Sequence, residues 1–239
     1  LKECVDKYGI SSFFFRAETF TLNKKWVIDL CKVITSNNLK ISWLTNSRVD
    51  SIDEERLYWM KKAGCFSIGF GVESGSQYLL DKMKKGTTYV QAKNAIRLCK
   101  TQKIKTVAYF LLGLPWESQE TAKETIDFIM ELNADLISLS FAYPFPGTEL
   151  YDFAIEKRLI DPKNLPPQIY EAPALDTFHL SKKDLIFIRR KAFSKFYFRP
   201  IFILKTLIKT SSLKTFKGYF SRGIIELKSY FLESSHKKT

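Results

Sequence analysis

Short apolar runs alternate along the chain with stretches in which apolar residues recur every three or four positions. The runs lie at residues 11–16, 41–44, 66–71, 106–112 and 136–141. Runs that are apolar throughout, rather than at every second residue, are typical of strands that are buried on both faces of a parallel sheet. The periodic stretches between them predict amphipathic helices. The chain is therefore expected to form βαβ units in an α/β parallel sheet or open barrel.

Polar or glycine-bearing turns follow the predicted strands. They bring a set of ligand-like residues to the strand ends: Glu18, Asn46, Arg48, Glu73, Ser74, Gly113, Pro115, Tyr143 and Pro144. In α/β folds, ligands are held at the carboxyl ends of the strands. Carboxylates accept from ammonium or hydroxyl groups, and an arginine pairs with a carboxylate through two hydrogen bonds. The set predicts a site for a zwitterionic or ribose-bearing ligand.

The charged members of this set also have structural interpretations. Glu73 fits a solvent-facing loop, and Arg48 fits an ion pair with Asp50 or Asp53. Glu18 fits a cap of the helix that follows it. The set contains no histidine and no serine in a nucleophile-elbow pattern. The strand ends therefore predict cofactor binding rather than catalysis by a side chain.

The cysteines predict no metal site. Cys4, Cys31, Cys65 and Cys99 lie far apart, without the close pairs of a zinc or cluster site. Cys31 and Cys99 fall on apolar helix faces, so we expect buried thiols in a reducing compartment. The chain shows no apolar run of about 18 residues or more and no signal peptide, and a cytoplasmic location is expected.

Basic charge is concentrated in residues 182–239. This segment holds 15 Lys or Arg against three acidic residues, whereas the whole chain holds 38 against 25. The proline-rich segment before it is typical of a linker. We expect a core at residues 1–160, an irregular linker at 161–181 and a helical basic region at 182–239.

An apolar stripe at helical spacing runs through the basic region, formed by Phe193, Phe196, Tyr197, Pro200, Leu204, Leu207 and Ile208. Two interpretations stay open. The stripe packs on the barrel and leaves a solvated basic face, or the helix lies on an anionic membrane surface, as a peripheral contact at the inner face of the membrane. Nucleic-acid binding ranks third, because no RNA-binding motif accompanies the charge.

Five segments, in order, resemble the radical S-adenosylmethionine superfamily, and most of all its cobalamin-binding-domain branch. They are residues 13–21, 43–50, 69–76, 111–118 and 143–148. The resemblance covers about residues 5–155 and implies an α/β fold, a partial (β/α)6 TIM-like barrel with about five of its strands present and a helical basic C-terminal tail. It also implies that a 4Fe-4S cluster reduces S-adenosylmethionine to a 5′-deoxyadenosyl radical, which abstracts hydrogen from the substrate.

The resemblance also implies roles for the candidate residues. Glu18 falls where the family contacts the methionyl amino group of S-adenosylmethionine. Glu73 and Ser74 match the motif that addresses the ribose or the methionyl carboxylate, and Arg48 is a carboxylate partner. Gly113 to Pro115 match the turn beside the adenine.

One departure from the family is large. The Cys-x-x-x-Cys-x-x-Cys loop that binds the cluster is absent from the sequence. In the family this loop precedes the strand that carries Phe13 to Phe15, so we expect a fragment that lacks the loop and the first strand. A degenerate relative is the alternative. Either way, the isolated chain is expected to be inactive in radical chemistry.

Three function classes follow from the resemblance. The first is a radical S-adenosylmethionine enzyme that uses cobalamin, bound by an upstream domain, for methyl transfer or rearrangement on a lipid or other small-molecule natural product. Such an enzyme takes electrons from a reductant protein such as flavodoxin or ferredoxin. The second is a tRNA-modifying enzyme of the same superfamily, and the third is a non-catalytic binding module without a cluster.

Overall fold

The computed structural model describes residues 1–17, 19–167, 170–200 and 202–204. Glu18, Leu207 and Ile208 therefore lie outside the described residues. In chain order the elements are α1 Lys2–Tyr8, β1 Ser12–Phe15, α2 Lys24–Ser36, β2 Ser42–Ser47, α3 Glu54–Lys62, β3 Cys65–Glu73, α4 Gln77–Lys82, α5 Tyr89–Thr101, β4 Lys105–Leu112, α6 Gln119–Leu132, β5 Leu136–Phe141, α7 Glu149–Glu156, a 3₁₀ turn Pro162–Asn164 and α8 Lys182–Tyr197.

The five strands form one parallel sheet in the order β1-β2-β3-β4-β5, with helices between them. This confirms the predicted α/β fold and its partial TIM-like barrel. Side chains alternate across the sheet. On β2, Trp43 and Thr45 point into the buried face, while Leu44 and Asn46 lie half-buried on the other face, called here the open face.

Two local predictions differ from the structure. β2 continues to Ser47, beyond the predicted end at Leu44, because its polar residues are accommodated in the sheet: the buried Thr45 hydroxyl donates to the Phe15 carbonyl at 2.9 Å. Asn46 therefore lies within a strand rather than in a turn. The helix α7 was not predicted, although Thr148 caps it by accepting from the Tyr151 amide.

The buried face of the sheet carries a dense aromatic and thiol core. Trp43 is fully buried, donates its indole N–H to the Ala63 carbonyl at 2.8 Å and packs against Phe15. The predicted burial of Cys31 and Cys99 is confirmed. Burial raises the pKa of both thiols to about 12, so neither is a reactive thiolate at neutral pH.

The chain divides into two compact units. The first is formed by residues 1–111 and 131–140 and contains β1 to β3 and most of β4 and β5. The second is formed by residues 112–130 and 141–239 and contains α7 and α8. None of the helices in the described part of the chain combines the length and the hydropathy that crossing a bilayer requires.

Helix α8 packs on the second unit through one face. Ser181 and Asp184 form a capping box at its start. The buried residues of the helix are Leu185, Ile188, Ala192 and Phe196. Of the predicted stripe, Phe196 is thus buried, while Leu204 is exposed. The division into a core, a linker and a basic region remains a prediction.

Candidate functional site

Glu73 ends β3 in an unusual backbone conformation. Its φ is 67°, in the left-handed region that non-glycine residues rarely adopt, and the register with β4 shifts between Gly71 and Glu73. A bulge of this kind redirects a side chain at the end of a strand. Backbone strain in this region costs of order 1–3 kcal/mol and is often found at binding sites.

The partner of Glu73 is Lys85, which the sequence reasoning missed. The Lys85 ammonium lies 2.7 Å from Glu73 Oε1, and the two side chains are 23% and 22% exposed. Lys85 belongs to the turn between α4 and α5, and its carbonyl accepts from Arg48 Nη2 at 3.2 Å. This turn therefore folds back onto the end of β3. The signal in the sequence is the run Lys84-Lys85-Gly86, a basic turn soon after a strand end.

Arg48 forms an ion pair with Asp50, one of the two partners that its structural interpretation named. Its Nε and Nη2 donate to the two carboxylate oxygens of Asp50 at 3.0 and 2.7 Å. The hydrogen bond from Arg48 lowers the pKa of Asp50. Asp53 is not the partner, because it binds Arg56 instead. Arg48 and Glu73 are thus linked through the same turn residue, Lys85.

Two glycines of β3 form the floor under these polar groups. A Cβ at Gly71 would lie 2.6 Å from Glu73 Oε1 and 3.2 Å from Lys85 Nζ. A Cβ at Gly69 would lie 2.6 Å from Asn46 Oδ1 and 2.7 Å from the Tyr109 hydroxyl. Glycine is therefore what lets both polar pairs approach the β3 backbone.

Asn46 and Tyr109 form the second polar pair on the open face. The Tyr109 hydroxyl donates to Asn46 Oδ1 at 3.4 Å, a long hydrogen bond, and burial raises the pKa of the phenol. Gly69 and Gly71 are two residues apart, about 7 Å along a strand. A charged pair and a neutral pair thus follow one another along β3.

A buried hydroxyl cluster holds the turns that carry Arg48. The hydroxyls of Thr21, Ser47 and Ser51 hydrogen-bond to one another, with Thr21 and Ser51 2.7 Å apart. The Arg56 guanidinium donates to the Thr21 carbonyl at 2.7 Å. Ser74 is likewise buried, and its hydroxyl accepts from the Ser76 amide at 3.1 Å. Ser74 thus supports the turn after β3.

In the second unit, Gly113 and Pro115 form one turn. Gly113 has a φ of 84°, and its amide donates to Glu117 Oε2 at 2.7 Å. The Pro115 carbonyl accepts from the Phe178 amide at 2.8 Å, and the Thr177 hydroxyl donates to the Glu117 carbonyl at 3.0 Å. The segment that leads into α8 therefore holds this turn through two hydrogen bonds.

Glu117 is a second charged residue whose buried position the sequence reasoning missed. Its side chain is fully buried, and Oε1 has no hydrogen-bond partner. Burial raises its pKa to about 7, although the amides of Gly113 and Leu114 oppose the shift. The signal in the sequence is a glutamate four residues after a turn glycine, within reach of the amide that the turn exposes.

A substitution at Gly69 tests whether its missing side chain makes room for the polar pair beside it. We expect Gly69→Ala to lower the free energy of unfolding by about 1–3 kcal/mol, because the new Cβ overlaps Asn46 and Tyr109. The double variant Gly69→Ala with Tyr109→Ala should lose less than the sum of the two single changes. Urea unfolding of the four proteins measures this coupling. Additive losses would contradict the overlap.

The described residues do not fit a 4Fe-4S cluster. They contain no group of three or more His, Cys, Asp or Glu that can hold a metal ion. Cys31, Cys65 and Cys99 are buried, and burial raises the pKa of each thiol. The polar pairs beside Gly69 and Gly71 do fit an organic ligand with charged and hydroxyl groups, because they offer a carboxylate, an ammonium and an amide next to one strand.

Comparison with known proteins identifies the family. Residues 1–129 match the family model described as the Radical SAM superfamily. The uncharacterized methyltransferase PH0819 of Pyrococcus horikoshii is 34% identical over 203 residues, which make up 85% of this chain and 44% of that protein. The anaerobic magnesium-protoporphyrin IX monomethyl ester cyclase of Cereibacter sphaeroides is 34% identical over 155 residues, 63% of this chain and 25% of that protein. The chain thus spans less than half the length of these relatives.

Solved structures show the same fold. OxsB, a cobalamin-dependent S-adenosylmethionine radical enzyme, superposes with a TM-score of 0.65 and 20% identity, over 96% of this chain and 40% of that one. The methyltransferase TsrM of Kitasatospora setae, with cobalamin and a [4Fe-4S] cluster bound, gives a TM-score of 0.61 and 22% identity, over 74% and 37%. At this identity the likeness is one of fold.

Proposed function

The chain belongs to the radical S-adenosylmethionine superfamily, and from that premise we propose that it is the S-adenosylmethionine-binding core of a methyltransferase or cyclase. The observation that carries the proposal is the Glu73–Lys85 pair, held over the bare backbone of Gly71 at the end of β3. Within the superfamily, S-adenosylmethionine and a 4Fe-4S cluster are the cofactors.

The ion pair suits a ligand that carries both charges. Each side chain is mostly buried, so removing one partner would leave the other charge uncompensated. A ligand with a carboxylate and a donor group avoids that cost, because the carboxylate takes Lys85 while an ammonium or ribose hydroxyl takes Glu73. S-Adenosylmethionine has all of these groups. Arg48 stays paired with Asp50 and donates to the Lys85 carbonyl, so it positions Lys85 for the carboxylate.

The neutral pair of Asn46 and Tyr109 extends the proposed binding site. At Gly69, about 7 Å along β3 from Gly71, Asn46 and Tyr109 offer an amide and a phenol to an uncharged polar group of the ligand or substrate. In the second unit, the turn of Gly113 to Pro115 is buried, and a Cβ at Gly113 would meet the Leu185 side chain at 3.0 Å, so its place beside an adenine rests on the family resemblance alone. These residues bind and orient; none of them is proposed to carry out a chemical step.

The reaction class is proposed from the relatives. A methyltransferase matches over most of this chain, and an anaerobic ester cyclase matches over almost two thirds of it. OxsB and TsrM are cobalamin-dependent or cobalamin-bound enzymes, which supports cobalamin as a further cofactor, held by other parts of a longer protein. A small molecule or lipid is the proposed substrate, with a flavodoxin- or ferredoxin-like reductant.

Transfer-RNA modification is the weaker candidate. A tRNA-2-methylthio-N(6)-dimethylallyladenosine synthase matches at 39% identity, but over 80 residues that make up only 32% of this chain. The segment is too short to carry a substrate assignment, and the superfamily fold supports many chemistries.

Anaerobic reconstitution of the chain tests the proposal. After incubation with iron, sulfide and a thiol reductant, we expect no stoichiometric thiolate-to-iron absorbance and no 5′-deoxyadenosine, because the described cysteines are buried or isolated. S-Adenosylmethionine should still bind and raise the unfolding temperature of the chain. A stoichiometric cluster on these 239 residues would overturn the assignment of the cluster ligands to another part of the protein.

A further inference from the structure

Helix α8 carries a second stripe on the face away from its buried residues. Lys183, Phe187, Lys191 and Ser194, with the C-cap residue Phe198, lie within an arc of about 80° at about 100° per residue. Phe187 is 56% exposed and Phe198 is 37% exposed. The two rings lie about 16 Å apart along the helix axis. We call these five residues the Lys183–Phe198 stripe.

The stripe combines exposed aromatic rings and lysines on one face of the helix. Single exposed aromatics are common on protein surfaces and need no explanation. Here, however, two aromatics share one helix face, and lysines lie four residues before and after Phe187. Aromatic rings flanked by long basic side chains are typical of helices at a membrane interface, because the rings enter the apolar layer while the lysine stems extend to the headgroups.

The lysines of the stripe lack acidic partners. Within the described residues, no carboxylate forms an ion pair with Lys183 or Lys191. Some exposed lysines elsewhere in the described residues are paired, as Lys25 is with Asp29 at 2.6 Å on α2. The stripe therefore presents uncompensated positive charge next to exposed apolar rings.

The acid nearest in sequence forms no ion pair with either lysine of the stripe in the described part of the chain. Asp184 is engaged at the start of the helix, where its Oδ2 accepts from the amide and the hydroxyl of Ser181 at 3.0 and 2.7 Å. The region 182–239 holds only three acidic residues against 15 basic ones. A partner must therefore be both anionic and apolar.

We propose that the Lys183–Phe198 stripe binds the surface of a membrane rich in anionic lipid, with α8 lying in the plane of the interface. An acidic headgroup layer offers each lysine about 1 kcal/mol of attraction, and the boundary with the acyl chains accepts the two rings. Single-stranded nucleic acid fits less well, because its bases stack on aromatic side chains set in a continuous groove. Rings about 16 Å apart on a convex helix do not provide such a groove.

Vesicle flotation of the full chain tests this surface. We expect the chain to float with vesicles of phosphatidylcholine and phosphatidylglycerol in equal parts, and not with phosphatidylcholine alone. Phe187→Ser together with Phe198→Ser should lower the partition coefficient at least tenfold, and Lys183→Glu together with Lys191→Glu should lower it similarly. Tyr78→Ser, which removes a 50% exposed aromatic from α4, is the matched control and should leave flotation unchanged.

Several results would overturn the proposal. They are a wild-type chain that does not float with the anionic vesicles, and flotation that survives both double substitutions. A third is a wild-type chain that binds yeast tRNA but does not float with vesicles, together with double variants that no longer bind the tRNA. That result would assign the stripe to nucleic acid. The substituted residues are exposed, so thermal unfolding of all variants should match that of the wild type and exclude misfolding as the cause.

Discussion

Glu73→Gln is expected to weaken the binding of S-adenosylmethionine by about ten- to a hundredfold, because a hydrogen bond to a charged group contributes about 1.5–3 kcal/mol. The substitution keeps the shape of the side chain but removes the charge that Lys85 compensates. Isothermal titration of the chain with S-adenosylmethionine measures the effect. Glu55→Gln is the matched control, since Glu55 is exposed and pairs with Lys24.

A substitution of Lys85 tests the same site independently. Lys85→Met should weaken S-adenosylmethionine by a similar factor, but should leave decarboxylated S-adenosylmethionine almost unaffected, because that ligand lacks the group that Lys85 binds. The control is Lys24→Met, which removes an exposed lysine of the same unit. Equal losses for the two ligands in Lys85→Met would place the carboxylate elsewhere.

Glu117→Gln is expected to stabilise the protein at alkaline pH and to change little in acid. Burial raises the Glu117 pKa from 4.5 to about 7, so the native state binds its proton more tightly than the unfolded chain. The stability that this adds is complete below about pH 4.5 and is lost as the pH rises through about 7, a loss of about 3 kcal/mol. Glutamine stays neutral and avoids that loss, although its hydrogen bond with the Gly113 amide is weaker.

Urea unfolding between pH 4.5 and 8, followed by tryptophan fluorescence, measures the difference. The stability of Glu117→Gln relative to the wild type should rise with pH and level off above pH 7. Glu124→Gln, at an exposed position on α6, serves as the control and should show no such trend. Parallel curves for Glu117→Gln and the wild type would show that folding does not raise the pKa of Glu117.

Much of the sheet is predictable because residue type alone determines it. Continuous apolar runs give all five strands, and β5 was predicted at both of its ends. Asn23, Asp53 and Thr88 cap the helices that follow them, as their short polar side chains require. These signals are local, so the neighbouring sequence is sufficient.

The site is less predictable because its contacts are not local. Lys85 is 12 residues from Glu73, and the two meet only because the turn after α4 folds back onto β3. Asn46 was placed in a turn, whereas the longer β2 puts it opposite Gly69, where the missing side chain leaves room for it. Glu117 turns inward because the Gly113 amide needs an acceptor, a demand that exists only once the turn has formed.

Equilibrium dialysis of labelled S-adenosylmethionine against the chain tests the central claim most directly. If Glu73 and Lys85 bind S-adenosylmethionine at the end of β3, the wild type binds one molecule of it saturably. The double variant Glu73→Gln with Lys85→Met then binds it at least tenfold more weakly. Saturable binding that the double variant retains in full, or no saturable binding by the wild type, would contradict it.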